Sequence, residues 1–158
     1  IRDLRLSRGL GDVYKRHTMN PTSLRDYAGT QSLNKAFADR WVIWDKPFPN
    51  KEQLDAIFEK RYPKLQKEYR ELIIKLATEI NNSFMSDDIS INIETPMSLR
   101  TIVERIPIGL DVYANSSDPL KDTWENFVLP HVNKEDLDHY KTLWNTIVRK
   151  GPSIKPKL

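Results

Sequence analysis

Cysteine is missing from the 158 residues, which excludes disulfides and thiolate metal sites and fits an intracellular, cytoplasmic setting. No apolar run approaches the roughly 18 residues that a membrane span needs, so no membrane partner is expected. The first residues mix Arg, Asp and Leu without a signal-peptide pattern. Nowhere does G-x-x-x-x-G-K-[ST] occur, so no phosphate-cradling loop of that type is present. No apolar run ends in Asp-Glu to hold Mg²⁺ either. Internal repeats and Ser-His-Asp or Cys-His arrangements are also lacking. His17, His131 and His139 share no metal-ligand spacing, and no metal site is expected.

What is there is ordinary for a globular protein: 39% hydrophobic and 30% charged residues, enough for one sizeable core or two small ones. The chain opens on Ile1 rather than Met, which suggests a cut or processed product. The net charge of +3 hides an asymmetry. Arg2, Arg5, Arg8, Lys15 and Arg16 crowd the start, and Arg149, Lys150, Lys155 and Lys157 the end. Between Ile80 and Val148 acids outnumber bases by eleven to five. Basic ends could serve nucleic acid, but solvated termini explain them as well.

A composition shift at Pro47-Phe48-Pro49-Asn50 divides the chain. Before it, residues 13–19 read as a strand ending at Asn20-Pro21, residues 33–38 as a short helical turn, and residues 41–44 as a second apolar strand. Strand, crossover and strand is the rhythm of a parallel sheet covered by helices. Two strands make no stable sheet, so the rest must come from elsewhere.

After the shift, helical periods dominate. Asn50 is the expected N-cap of a helix over 51–62 that buries Leu54, Ile57 and Phe58. Pro63 is expected to start a second helix carrying Leu65, Tyr69, Leu72, Ile73, Leu76 and Ile80 inward. Its outer face offers Lys64–Glu68 and Glu71–Lys75 as i,i+4 pairs. Residues 87–94 read as a short strand or extended edge. Thr95-Pro96 should open a helix with Leu99, Ile102, Val103 and Ile106 inward. Asp118-Pro119 should cap another, with Leu120, Trp124, Phe127 and Val128, closed by Pro130. Asn133, with Asp136 three residues on, should cap the last helix, with Glu135, Asp136 and Asp138 complementing its dipole. Its inner face is Leu137, Tyr140, Trp144, Ile147 and Val148. Trp41, Trp44, Trp124 and Trp144 fall on apolar stripes as core residues. The helices predict a small bundle.

The stretch with most chemical content is Thr18-Met19-Asn20-Pro21, then Gly29-Thr30, Leu33, and Ala36-Phe37-Ala38-Asp39-Arg40-Trp41. In an open parallel sheet ligands sit beyond the carboxyl ends of the strands, where Asn20 offers both a donor and an acceptor. Asn-Pro alone is also a turn initiator. As an ordered series, these residues resemble the MoxR and dynein-related branch of the AAA+ ATPases. There a strand ending in an "ATxNP" pattern is followed by Gly-Thr, a Leu and an Ala-x-x-Asp-Arg-Phe segment. Trp41 stands where Phe is usual. Ser98-Leu99-Arg100 is similar to the Ser-x-Arg pattern that opens a lid helix in that family, with Leu99 where Pro is usual.

The resemblance implies an α/β edge of a P-loop-type nucleotide-binding domain at residues 1–48 and an all-α lid at 49–150; the prolines and lysines of 151–158 read as a flexible basic tail. By the same resemblance Asn20 is the sensor-1 residue that orients the attacking water. Arg40 is the arginine finger directed at a neighbouring subunit's nucleotide, with Arg25 a second candidate. Arg100 is sensor 2, reaching the phosphates of its own subunit. Structural alternatives are ion pairs of Arg40 with Asp39 or Asp26, and of Arg100 with Glu104. The family assembles into rings, commonly hexamers, uses ATP with Mg²⁺, and remodels a protein client. Without the missing loop and acidic strand this chain alone should not hydrolyse ATP. Two other readings stay open: a basic-ended helical module binding nucleic acid or protein, and a degenerate ATPase scaffold.

Overall fold

The computed structural model describes residues 47–86, 93–149 and 151–158, which belong to one compact unit, Pro47–Leu158. The expected α/β edge, with Asn20, Arg25 and Arg40, lies outside the described residues, as does most of the extended stretch expected at 87–94. Helix makes up 64% of the described residues and no strand occurs among them, so the described part of this unit is built by helix packing.

Helix α1, Lys51–Arg61, is closed at its start by a reciprocal capping box. The Gln53 N–H donates to Asn50 Oδ1 at 2.9 Å, and the Asn50 N–H donates to Gln53 Oε1 at 3.1 Å, so two orphan donors are satisfied at once. Leu54 and Phe58 are its buried face. Helix α2, Lys67–Phe84, buries Tyr69, Ile73, Leu76, Ala77 and Ile80 at the expected spacing. It starts four residues later than Pro63 suggested. Leu65 N–H bonds to the Tyr62 carbonyl at 3.0 Å and makes residues 62–65 a turn. The outer-face pair that forms is Lys67–Glu71, at 3.6 Å.

The third helix opens at Leu99, widens into a π-turn over Thr101–Arg105, and continues as α3, Ile106–Val112. Its cause is Pro107. A proline ring clashes with the carbonyl four residues back and offers it no N–H. Widening the turn, so that Ile106 N–H reaches Thr101 O, relieves the crowding. Ile102, Val103 and Ile106 point inward as expected, whereas Leu99 is exposed, because it sits in the first turn ahead of the buried stripe.

Helix α4, Pro119–Thr123, begins at Asp118, whose side chain accepts from Lys121 N–H at 3.1 Å. It too runs into a π-turn, Trp124–Val128, and a 3₁₀ turn, Leu129–His131, that contains Pro130. Gly109 lets α3 approach closely: a Cβ there would lie 2.5 Å from Thr123 Cγ2 and 3.1 Å from the Phe127 ring. Helix α5, Leu137–Ile147, brings Tyr140 and Trp144 against Trp124. The three rings stack, with centroids 5.8 Å and 5.1 Å from Trp124, so Trp124 and Trp144 are core residues as their spacing predicts.

The chain leaves α5 through Arg149, whose positive φ of 54° turns it sharply. Residues 151–158, expected as a flexible basic tail, make hydrogen bonds to the rest of the unit. Gly151 N–H donates to Asp118 Oδ2 at 3.2 Å. Gln66 Nε2 donates to the Lys155 carbonyl at 2.6 Å and Gln66 Oε1 accepts from Lys157 N–H at 3.1 Å. The Tyr69 hydroxyl donates to the Ile154 carbonyl at 2.7 Å. Gln66 sits at the N-cap of α2 but makes no cap bond, because its amide is committed to the tail. No helix among the described residues is long and apolar enough to cross a membrane.

Candidate functional site

Of the site residues expected from sequence, Arg100 is the one among the described residues. Its position follows from local chemistry. The Ser98 hydroxyl accepts from Thr101 N–H at 3.1 Å and so caps the helix start. This leaves Arg100 on the outer side of the first turn, with 76% of its side chain exposed. The expected i,i+4 pair is present but loose, with Arg100 Nε 3.9 Å from Glu104 Oε2. At that distance and exposure the pair contributes at most ~1 kcal/mol, so it does not hold the guanidinium against a stronger anion.

The backbone leading to Arg100 is held quite differently. Asn81 of α2, nearly fully buried, pairs with Met97 through both faces of its amide. Met97 N–H donates to Asn81 Oδ1 at 2.8 Å and Asn81 Nδ2 donates to the Met97 carbonyl at 3.2 Å. Asp136, 3% exposed, accepts from Glu94 N–H at 3.1 Å and Thr95 N–H at 2.7 Å. The Tyr140 hydroxyl donates to the Thr95 carbonyl at 2.6 Å, and Asn133 N–H donates to Thr95 Oγ1 at 3.2 Å. Burial, and then the neighbouring Asp136 carboxylate, push the Tyr140 phenol above its usual range, so it stays a donor.

Two sequence-based expectations are corrected here. Asp136 precedes α5, but its carboxylate makes no cap bond to that helix; it turns inward to serve the backbone at 94–95. Asn133 likewise contributes backbone and not a side-chain cap: its carbonyl accepts from Asp136 N–H at 3.1 Å. The physical reason is need. The Glu94 and Thr95 amides lie outside any helix, and the Asp136 carboxylate gives them charge-assisted bonds, worth about 1.5–3 kcal/mol each.

A second helix also reaches this region. Arg61, the last residue of α1, places Nη1 3.6 Å from Glu104 Oε1. The Tyr62 hydroxyl next to it donates to the Val103 carbonyl at 2.8 Å. That carbonyl is the one that residue 107 would have bonded in a regular α-helix, had it not been proline. Elsewhere, a groove of about 290 Å³ is lined by Lys121, Trp124, Leu129, Lys141 and Trp144 among others; Arg100 does not reach it. Among the described residues no three His, Cys, Asp or Glu side chains converge on a metal-sized position.

Sequence reasoning missed Asn81, Asp136 and Tyr62. Asn81 carried a signal, since it falls one turn after Ala77 on the apolar stripe of α2, where a polar residue needs a buried partner. Asp136 carried none that separates it from Glu135 and Asp138. The Tyr62 contact could be read only by pairing it with Pro107, 45 residues away in sequence.

No protein-family model matches the chain, and no curated protein or solved structure matches it.

Proposed function

We propose that the chain is the C-terminal portion of an ATP-hydrolysing AAA+ ATPase of the MoxR/dynein-related branch, supplying sensor 1, the arginine finger and the sensor-2 lid. In this reading Asn20 orients the attacking water, Arg40 stabilises charge on a neighbouring subunit's nucleotide, and Arg100 contacts the phosphates within its own subunit. Phosphoryl transfer is catalysed mainly by positioning and charge stabilisation, which is what these three residue types provide. ATP with Mg²⁺ is the cofactor, the loop and acidic strand that hold it come from a segment outside these 158 residues, and the working form is a cytoplasmic ring acting on a protein client.

The observation that supports this reading best is the state of Arg100. It lies in the first turn of a helix, two residues after a capping Ser98, on a fixed backbone, with its guanidinium exposed and loosely paired. The start of a helix also favours an anion through its N–H groups. The test is ATP binding and turnover by a protein in which this chain is joined to its phosphate-binding half. Arg100→Ala should weaken nucleotide binding about 10-fold or more, the worth of a charge-assisted contact. Arg40→Ala should abolish turnover while sparing binding. Wild-type turnover in both variants sinks the assignment. Binding without turnover in the parent protein favours the degenerate scaffold.

A further inference from the structure

We infer that Arg61 is a second phosphate-contacting residue, which with Arg100 forms a two-arginine clamp for a polyphosphate anion, Glu104 serving as the stand-in that both release. The inference rests on the reading of Arg100 as a phosphate-contacting residue and adds a residue from a different helix to it.

Three observations carry it. First, the two guanidiniums meet on opposite oxygens of one carboxylate, Arg61 on Oε1 at 3.6 Å and Arg100 on Oε2 at 3.9 Å. They are therefore spaced for a small oxyanion and carry one positive charge beyond what Glu104 cancels. Second, neither contact is a close hydrogen bond, and about half of the Arg61 and Glu104 side chains is exposed. Exposed pairs of this kind are weak, whereas a polyphosphate brings more charge and more acceptor oxygens to the same two forks. Third, the approach of Arg61 is built into the fold. Pro107 leaves the Val103 carbonyl without its helical N–H, the Tyr62 hydroxyl takes that carbonyl at 2.8 Å, and this docks the end of α1 onto the helix of Arg100. The Tyr62 ring lies under the Arg61 guanidinium, 5.9 Å from its centroid, and limits its wandering.

A plain structural role for Arg61 exists too, because a cation at a helix C-terminus complements the dipole. That role predicts a small change in stability and no change in anion binding.

The experiment uses the full 158-residue chain and inorganic tripolyphosphate without Mg²⁺ at low ionic strength, where surface electrostatics are least screened. Binding is followed by titration calorimetry and localised by the NMR signals of the arginine Nε–H groups, which separates this site from the basic termini. Saturable shifts are expected at Arg61 and Arg100. Arg61→Gln and Arg100→Gln should each weaken binding about 10-fold, and Glu104→Gln should tighten it several-fold by removing the competitor. Circular dichroism and thermal unfolding establish that all three variants are folded. Unchanged affinity in Arg61→Gln with a loss in Arg100→Gln overturns the clamp and leaves the reading of Arg100 standing. Unchanged affinity in both, or no saturable binding at Arg100, overturns the clamp and the phosphate role of Arg100 together.

Discussion

Residues 93–98 and the side chain of Arg100 are neighbours in sequence and opposites in how they are held. The approach segment is bonded to two helices by buried groups: Asn81 of α2 grips Met97, and Asp136 with Tyr140 grips residues 94–95 beside α5. The guanidinium two residues on touches one exposed carboxylate at 3.9 Å. Backbone order and side-chain freedom are thus assigned to different residues. This is what a ligand-sensing arginine requires, since its Cα must be fixed for geometry while its charge stays available to move.

The largest effect should come from loosening the fixed side. Asp136→Ala removes two charge-assisted bonds to part-buried backbone N–H groups, and about 3 kcal/mol of unfolding free energy should be lost in a urea titration. Asp136→Asn keeps one acceptor oxygen and should recover part of it. A loss below about 0.5 kcal/mol in the alanine variant would mean that the segment is not held by Asp136, and the contrast with Arg100 would collapse. Next in size is Gly109→Ala, at the other end of the same helix. Its Cβ would sit 2.5 Å from Thr123 Cγ2, and overpacking of this kind costs about 2 kcal/mol. A neutral result would show that α3 slides freely and that the helix of Arg100 is fixed at one end only.

How much of this could be read beforehand differs by interaction type. The apolar stripes of α1 and α2, the caps at Asn50 and Asp118, and the core residues Trp124 and Trp144 follow from local periodicity and capping chemistry, and they are observed. Sequence puts the start of α2 at Pro63 because proline suits a first helical turn as well as it suits the turn it occupies, and Gln66, bonded to the tail, precedes the observed start at Lys67. The lysines and prolines of 151–158 signal a solvated end and carry no sign of the bonds that the segment makes. Backbone groups of Gly151, Ile154, Lys155 and Lys157 bond to the Asp118 carboxylate, the Tyr69 hydroxyl and the Gln66 amide, all distant in sequence. The same applies to Asp136, which is chemically identical on paper to the acids beside it. Asn81 apart, whose place on an apolar stripe marks it, these long-range bonds between a side chain and a backbone leave no periodic trace.

Alkaline pH separates the two sides by a different route. Tyr69 binds the tail through its hydroxyl, and burial, followed by the nearby Asp118 carboxylate, pushes its phenol from 10.0 up to about 12. The folded state therefore keeps a proton that the unfolded state gives up. Its contribution is complete below pH 10.0 and is lost as pH rises to about 12. Tyr140 shifts in the same direction. Unfolding midpoints should be flat from neutral pH to about 9 and fall above 10, and Tyr69→Phe should shallow the fall. A midpoint that drops equally in Tyr69→Phe would assign the alkaline loss to other groups. Smaller again is Tyr62→Phe, which removes one bond to the Val103 carbonyl and should cost about 1 kcal/mol by denaturant titration. It should also loosen Arg61 without touching it, so tripolyphosphate affinity should fall by less than in Arg61→Gln.

The smallest change in stability is expected where the functional reading expects the largest change in binding. Arg100→Gln removes a loose, exposed pair and should alter unfolding free energy by no more than about 0.5 kcal/mol. The side chain keeps a polar end in water, and no buried group loses a partner. The same substitution should weaken tripolyphosphate binding about 10-fold. The ratio of the two effects is the discriminating quantity. For Asp136→Ala it should run the other way, with a large loss of stability and only an indirect loss of binding in whatever fraction remains folded. If Arg100→Gln instead destabilised the chain by 2 kcal/mol or more, the guanidinium would be holding structure. The division between a fixed backbone and a free charge would then have been drawn at the wrong residue.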